Sequence, residues 1–174
     1  MKLIAYALSL SILFLFACKK QHEGRNYWGE ISVLKNGEPW SGKIVALPST
    51  ISNLKFNISI MTFDEEEIPL DELGFIKVPK RIGIYPLSFT FSQPPDDSLV
   101  GANYFHGYDD ELYDIYSISK DDSTSYLEIT EFNEKKGELR GKFNVTLYRT
   151  LAGSWNGPDT LVFTNGVFHT RLDE

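Results

Sequence analysis

The stretch Leu139-Arg140-Gly141-Lys142-Phe143-Asn144-Val145-Thr146-Leu147-Tyr148 decides the fold of this chain. Small and apolar residues occupy every second position, and charged or polar residues, with one tyrosine, fill the positions between them. Alternation with a period of two is typical of a β-strand that has one buried and one exposed face. The sequence therefore predicts a long strand here, which requires a partner strand of similar length.

The segment Asp159–Leu172 is the nearby stretch of that size, and the loop Thr150–Pro158 joins it to the first strand. Asn165-Gly166 lies inside the segment, and Asn-Gly pairs are strong signals of a two-residue β-hairpin. A hairpin here would divide the segment into two short arms. We therefore interpret Asn165-Gly166 as a bulge within one long final strand, and a second tight hairpin is the alternative interpretation.

Short strand patterns separated by turn residues fill the chain from Trp28 onward. Asn36-Gly37 predicts a hairpin, because both central positions of a type I′ turn need a positive φ. Pro39 has no N–H for a sheet ladder, which predicts that its arm, Glu38 to about Leu47, lies at an edge.

The remaining chain gives these predictions: a strand over Asn53–Phe63 with Leu54, Phe56, Ile58 and Ile60 on one face, an acidic turn at Asp64–Glu67, a possible helical turn at Leu70–Gly74, strands at Leu73–Val78 and Tyr85–Phe91, a loop at Gln93–Asp97, and strands at Val100–His106, Tyr113–Ile118 and Tyr126–Phe132. About ten strands with no long amphipathic helix between them predict an all-β fold. The two solutions are an antiparallel β-sandwich and a flattened lipocalin-like barrel.

The N-terminal segment has a different pattern. Lys2 precedes the apolar run Leu3–Phe16, which is too short to cross a hydrocarbon layer of about 30 Å comfortably. A positive start, a short apolar core and a small residue at its end, here Ala17, are typical of a secretory signal. Leu15-Phe16-Ala17-Cys18 resembles the lipobox of bacterial lipoproteins, with the bulky Phe16 as a mild departure.

This resemblance implies that residues 1–17 are a cleaved signal peptide and that Cys18 is lipidated on its thiol and on its new amino group. Two or more acyl chains attach a protein stably to a membrane. Residues 18–26 are then the lipidated cysteine with a flexible tether, and residues 27–174 a single β-rich domain. The alternatives are an ordinary signal peptide cut near Cys18, or a free thiol.

Charge and the residue after the cysteine predict the location of the protein. Lys19 follows Cys18, whereas an acid at that position favours inner-membrane retention in enteric bacteria, so we expect lipid anchoring at the outer membrane, on its periplasmic face or at the cell surface. The formal net charge is −7, and it becomes −8 without Lys2 (16 basic against 24 acidic residues). This acidity argues against nucleic-acid binding and against a domain that lies flat on anionic lipid. Cys18 is the only cysteine, so no intramolecular disulfide can form.

The chain after the signal also resembles an uncharacterised family of Bacteroidetes-type lipoproteins. The segments that carry this resemblance are Val33–Trp40, Gly83–Leu87, Gly137–Leu147 and Phe163–Phe168. The family has no known activity, so the resemblance implies architecture and membrane attachment but no mechanism.

The sequence singles out no catalytic residue. The acids in Tyr108–Asp114 lack the alternating order of a calcium loop and predict a solvated acidic loop. His106 and His169 have no ligand partner at metal-site spacing, which predicts surface or capping histidines. Gly153–Gly157 does not fit a nucleophile elbow. We therefore predict no metal and no cofactor; a carboxylate-dependent hydrolase stays an alternative, because no pair of acids stands out.

Aromatic residues are the best candidates for ligand contact. Tyr104, Tyr108, Tyr113 and Tyr116 mix with acids around one loop, which suits a site for a sugar or a lipid, and the alternative is that most of them are core. We expect a non-enzymatic binding or accessory protein, attached to the membrane through acyl groups on Cys18, with a small apolar molecule, a glycan or a protein as ligand. The alternative function is a lipocalin-like carrier of a small apolar molecule.

Overall fold

The computed structural model describes residues 26–89, 99–109, 111–153 and 156–173. The predictions for the signal peptide, for Cys18 and for the loop Gln93–Asp97 lie outside these residues. The strands are β1 (Gly29–Lys35), β2 (Glu38–Trp40), β3 (Lys43–Pro48), β4 (Lys55–Phe63), β5 (Pro69–Pro79), β6 (Gly83–Ser88), β7 (Val100–Tyr108), β8 (Glu111–Ser117), β9 (Tyr126–Asn133), β10 (Glu138–Leu151) and β11 (Thr160–Arg171). Within the described ranges, no helix is long and apolar enough to cross a bilayer.

The strands form one sheet that curls back on itself. Its order is β2-β1-β11-β10-β9-β6-β7-β5-β4-β3, and β8 pairs with both β7 and β10, which closes a ring of five strands. The end of β11 meets β3, where Asp173 N donates to Ala46 O at 2.8 Å. We call this curled sheet, with the core that it encloses, the barrel. The predicted all-β fold, compatible with a sandwich or a flattened barrel, is confirmed. The prediction of purely antiparallel pairing is wrong in one place, because β6 and β7 pair in parallel.

The pairing of β10 with β11 confirms the interpretation of the deciding stretch. The alternate residues Leu139, Gly141, Phe143, Val145 and Leu147 are all buried. The register shifts between Phe143 and Val145, and Asn165 has a φ of 56°, so Asn165-Gly166 is a bulge and the hairpin alternative is wrong. A Cβ on Gly166 would lie 2.6 Å from the Phe143 ring, so the glycine leaves room for that ring.

The first hairpin also forms as predicted. Asn36 and Gly37 have φ values of 52° and 87°, and β2 with Pro39 lies at the edge of the sheet. The return arm is not continuous to Leu47, because it breaks at residues 41–42 into β2 and β3.

Two further predictions are wrong. The segment Leu70–Gly74 is not a helical turn but part of β5, where its backbone pairs with β4 and β7. Leu54 does not share the buried face of Phe56, Ile58 and Ile60; it is 71% exposed, because β4 begins one residue later and Leu54 lies in the preceding turn.

Aromatic side chains fill the interior of the barrel. The largest fully buried side chains include Phe56, Phe75, Phe143, Phe163, Tyr104 and Tyr116. The ring centroids of Phe75 and Phe143 are 4.9 Å apart with the edge of one ring towards the face of the other. Such pairs add about 0.5–1.5 kcal/mol beyond the burial of their area. The interior is therefore packed with side chains, as in other small barrels.

Candidate functional site

The barrel has two ends with different chemistry. The N-terminal pole consists of Asn26, residues 49–54, residues 80–82, residues 134–137 and Asp173. Asn26 N lies 3.4 Å from Asp173 Oδ2, so the described chain begins at this pole. The far pole is the opposite end, where β1 ends at Lys35 and β11 begins. The length of β1, at about 3.3 Å per residue, separates Gly29 from Lys35 by roughly 20 Å.

Four polar side chains meet inside the far pole, and we call them the charged cluster: Lys35, Asp71, Tyr104 and His106. Asp71 on β5 is the cross-strand partner of His106 on β7, and Leu73 is the partner of Tyr104. Side chains two residues apart point to the same face of a strand, so Tyr104 and His106 both face inward. Lys35 reaches the cluster from β1, and its ammonium donates a hydrogen bond to the Tyr104 hydroxyl.

The carboxylate of Asp71 is the centre of the charged cluster. Its Oδ1 lies 2.7 Å from His106 Nδ1, and its Oδ2 accepts a hydrogen bond of 3.2 Å from Thr62 Oγ1. The Lys35 ammonium lies 3.9 Å from Oδ2. The side chains of Lys35, Asp71 and His106 are only 16–17% exposed. A carboxylate, an ammonium and an imidazole are thus held together at the rim of an otherwise apolar interior.

Burial dominates the electrostatics of this cluster. It lowers the pKa of Lys35, and the nearby Asp71 carboxylate opposes that shift. It also raises the pKa of Tyr104, and the negative charge of Asp71 raises it further. The ammonium of Lys35 lies 4.4 Å from the centroid of the Tyr104 ring, a distance at which a cation is attracted to the ring face. Tyr104 therefore stays protonated over the physiological pH range.

A second buried acid lies beside the cluster. Asp114 on β8 is fully buried; its Oδ1 accepts a 2.6 Å hydrogen bond from Gly153 N. Its Oδ2 is buried without a hydrogen-bond partner among the described residues, and Arg149 Nη1 lies 3.8 Å from it. Arg149 also pairs with the exposed Asp159. The prediction that the acids of Tyr108–Asp114 form a solvated loop is therefore wrong for Asp114.

The four tyrosines predicted as ligand contacts are divided between core and rim. Tyr104 and Tyr116 are fully buried and pack edge to face at 5.8 Å, and the Tyr116 hydroxyl donates to Pro158 O at 2.8 Å. Tyr113 is half-buried, with its ring 5.9 Å from His106, and Tyr108 is 42% exposed at the end of β7. Tyr104 and Tyr116 therefore belong to the buried interior, where Tyr104 is a member of the charged cluster. Tyr113 is the partly exposed tyrosine that lies beside that cluster.

The expectation that His106 is a surface or capping histidine is wrong. Its acidic partner, Asp71, is distant in the sequence, and the pairing of β5 with β7 brings the two side chains together. Short-range spacing gave no signal for this pair. The contact of Nδ1 with the Asp71 carboxylate fixes the orientation of the His106 ring at the rim of the interior. In the described ranges, no group of three or more His, Cys, Asp or Glu side chains is arranged to hold a metal ion.

No protein-family model, curated protein or solved structure matches the chain. The class of protein is therefore described from its fold and its candidate site. The chain is an all-β domain with a packed, curled sheet and a charged cluster at the pole opposite its described N-terminus.

Proposed function

We propose that this protein is a lipid-anchored binding protein of the bacterial cell envelope, and that its far pole binds a polar ligand. The anchor is Cys18, held to the outer membrane by its acyl chains, and residues 18–26 are the tether. The observation that carries the proposal is the position of the charged cluster: it lies at the end of the barrel away from Asn26, where the tether joins. A ligand at that end stays accessible while the other end is near the membrane.

The charged cluster is an expensive arrangement for a protein that needs only stability. Each buried ion loses its hydration, and apolar residues of the same volume often stabilise a protein as well or better. Partly buried groups of opposite charge are common in functional sites. The half-buried rings of Trp40 and Tyr113 flank Lys35 and His106. Hydrogen-bonding groups between aromatic rings suit a ligand rich in hydroxyl groups, such as a glycan.

The packed interior supports binding at this surface over transport inside the barrel. A carrier of a small apolar molecule needs a cavity of roughly 300 Å³ or more. Here the rings of Tyr104, Tyr116, Phe143 and Phe163 occupy the middle of the barrel and are fully buried. Tyr104 lies 5.7 Å from Phe163, so these rings contact one another across the interior.

The anchor is tested by the intact mass of the full chain expressed in a bacterium and extracted from its membranes. We expect a protein that begins at Cys18 and carries the mass of three acyl chains. The Cys18→Ala variant should lack that mass. An unmodified Cys18, or cleavage at another residue, contradicts the anchor.

The ligand site is tested on a glycan array with the chain of residues 26–174. The variant Tyr113→Ala removes a half-buried ring beside the cluster, and the control Tyr126→Ala removes a half-buried ring of β9 that pairs with the middle of β10, away from the far pole. We expect glycan binding that Tyr113→Ala weakens at least about fivefold and Tyr126→Ala leaves unchanged, since truncation of a ring that contacts a ligand costs about 1 kcal/mol or more. Equal loss in both variants contradicts a site at the far pole.

A further inference from the structure

The N-terminal pole carries a surface whose chemistry the binding site at the far pole does not use. Two clefts adjoin there. One, of about 680 Å³, lies between residues 52–55, residues 79–81, Phe132 and residues 134–137, and the other, of about 330 Å³, lies between residues 134–137 and the end of β11. We call the residues that line them, with Ile51 and Ile82 beside them, the basal surface.

The basal surface is basic although the protein as a whole is acidic. Its basic residues are Lys55, Lys80, Arg81, Lys135, Lys136 and Arg171, and its acidic residues are Glu134 and Asp173. In a third cleft, beside Ile82, Arg140 pairs with Glu131 at 3.4 Å. Glu138, the first residue of β10, lines this third cleft as well. The other end of the barrel carries a larger group of acids: Asp64, Glu65, Glu66, Glu67, Asp71, Glu72, Asp109, Glu111, Asp114 and Asp159. The charge of the barrel is therefore separated along its axis.

Large apolar side chains project from the same surface. Ile51 is 54% exposed, Leu54 is 71% exposed and Ile82 is 64% exposed. The turn that carries Ile82 also carries the bases Lys80 and Arg81. Apolar side chains that project among basic ones are the pattern of a surface that rests in a membrane interface, with the bases at anionic headgroups and the apolar groups below them.

We propose that the basal surface docks onto an anionic lipid bilayer. Its occupant is the surface of the membrane that holds the anchor, and two observations favour that occupant: the described chain begins at this pole with Asn26, and the positive charge complements anionic headgroups. The inference deepens the proposed function, because a docked basal surface directs the charged cluster away from the membrane. The negative net charge of the whole protein argues against contact with anionic lipid. The bases of the basal surface nevertheless lie together at one end of the barrel, so that end can contact anionic lipid although the whole protein is acidic.

The contact is tested without the anchor. The described strands and core residues lie within residues 26–173, and a chain of residues 26–174 contains neither Cys18 nor the basic residues of the tether. Circular dichroism and cooperative thermal unfolding of this chain are measured first to establish that it is folded. Its binding is measured by co-sedimentation with vesicles of phosphatidylcholine alone and with vesicles that also contain phosphatidylglycerol. We expect binding to the anionic vesicles that weakens with added salt, and much less binding to the neutral ones.

Matched variants locate the contact. The double variant Lys80→Glu/Arg81→Glu reverses two bases of the basal surface, and Lys120→Glu/Lys142→Glu changes the net charge equally at exposed positions outside its clefts. We expect the first pair to weaken binding at least about tenfold and the second to change it by less than about threefold, since each base near an anionic surface contributes about 1 kcal/mol. Leu54→Ser/Ile82→Ser should also weaken binding, with an unchanged thermal unfolding midpoint.

Three results overturn the inference. They are no binding to anionic vesicles, equal losses in the two charge-reversal variants, and self-association of the chain that Lys80→Glu/Arg81→Glu abolishes, which would make a second copy the occupant. Because this chain lacks Cys18, failure here leaves the acylation result unaffected. An unmodified Cys18 in the full chain likewise leaves the vesicle result unaffected.

Discussion

The two poles close the same barrel with opposite chemistry. At the far pole, Lys35, Asp71 and His106 are charged or polar and largely buried. At the N-terminal pole, Leu54 and Ile82 are apolar and largely exposed. Burial of ionisable groups costs hydration energy, and exposed apolar groups gain little from folding. Stability alone therefore explains the chemistry of neither pole.

The largest expected effect comes from the centre of the charged cluster. Asp71→Ala removes the acceptor of Thr62 and the partner of Lys35 and His106, so we expect the free energy of unfolding to fall by about 3 kcal/mol, measured by urea denaturation. The double variant Lys35→Met/Asp71→Leu removes both charges and should recover more than half of that loss. A loss below about 1 kcal/mol for Asp71→Ala would mean that the cluster is effectively solvated, and the contrast between the poles would disappear.

A smaller effect is expected from the buried phenol of the same pole. Burial raises the pKa of Tyr104 above the ordinary value of 10.0, so above that pH the folded state retains a proton that the unfolded state releases. Stability then falls as the pH rises, by at most about 1.4 kcal/mol per pH unit from this one group.

Tyr104→Phe removes that dependence. Urea denaturation of both proteins between about pH 9 and pH 11 should show a shallower alkaline decline for the variant. Lys35 works in the opposite direction, because its lowered pKa makes its burial less costly as the pH rises, and it is present in both proteins. Identical alkaline slopes in the two proteins would contradict the burial of a protonated Tyr104.

The smallest effect is expected at the N-terminal pole. Leu54→Ala should change the free energy of unfolding by less than about 0.5 kcal/mol, because the side chain is already 71% exposed. The matched change Leu73→Ala removes a fully buried leucine of β5 and should cost about 3 kcal/mol. A loss above about 1 kcal/mol for Leu54→Ala in a denaturation experiment would place that leucine in the core and remove it from the basal surface.

The predictions that succeeded depend on residues close together in the sequence. The alternation in β10, the Asn36-Gly37 turn and the bulge at Asn165-Gly166 are consequences of backbone geometry over a few residues. The prediction for Leu54 failed because alternation places a residue on a face only while the strand continues. No residue pattern near Asn53 indicated that β4 would begin at Lys55 rather than at Asn53.

The candidate site could not be predicted in the same way. Lys35 and Tyr104 are 69 positions apart, and Asp71 and His106 are 35 positions apart. Each is an ordinary polar residue of a strand pattern, and the four tyrosines chosen for their proximity in sequence are split between the interior and the rim. The full burial of Asp114 could not be predicted from the sequence either, because Gly153 and Arg149, which contact its carboxylate, lie on other segments of the chain.

The amino-acid sequence therefore predicted the all-β class, most strand positions and the two Asn-Gly features, because side-chain alternation and turn chemistry act over short distances along the chain. Which strands are neighbours, and in which register they pair, was visible only in the folded structure. That register brings Asp71 opposite His106 and places Lys35 over Tyr104. It also separates the bases of one pole from the acids of the other, because contacts between distant segments arise from packing around a shared core and not from any local pattern.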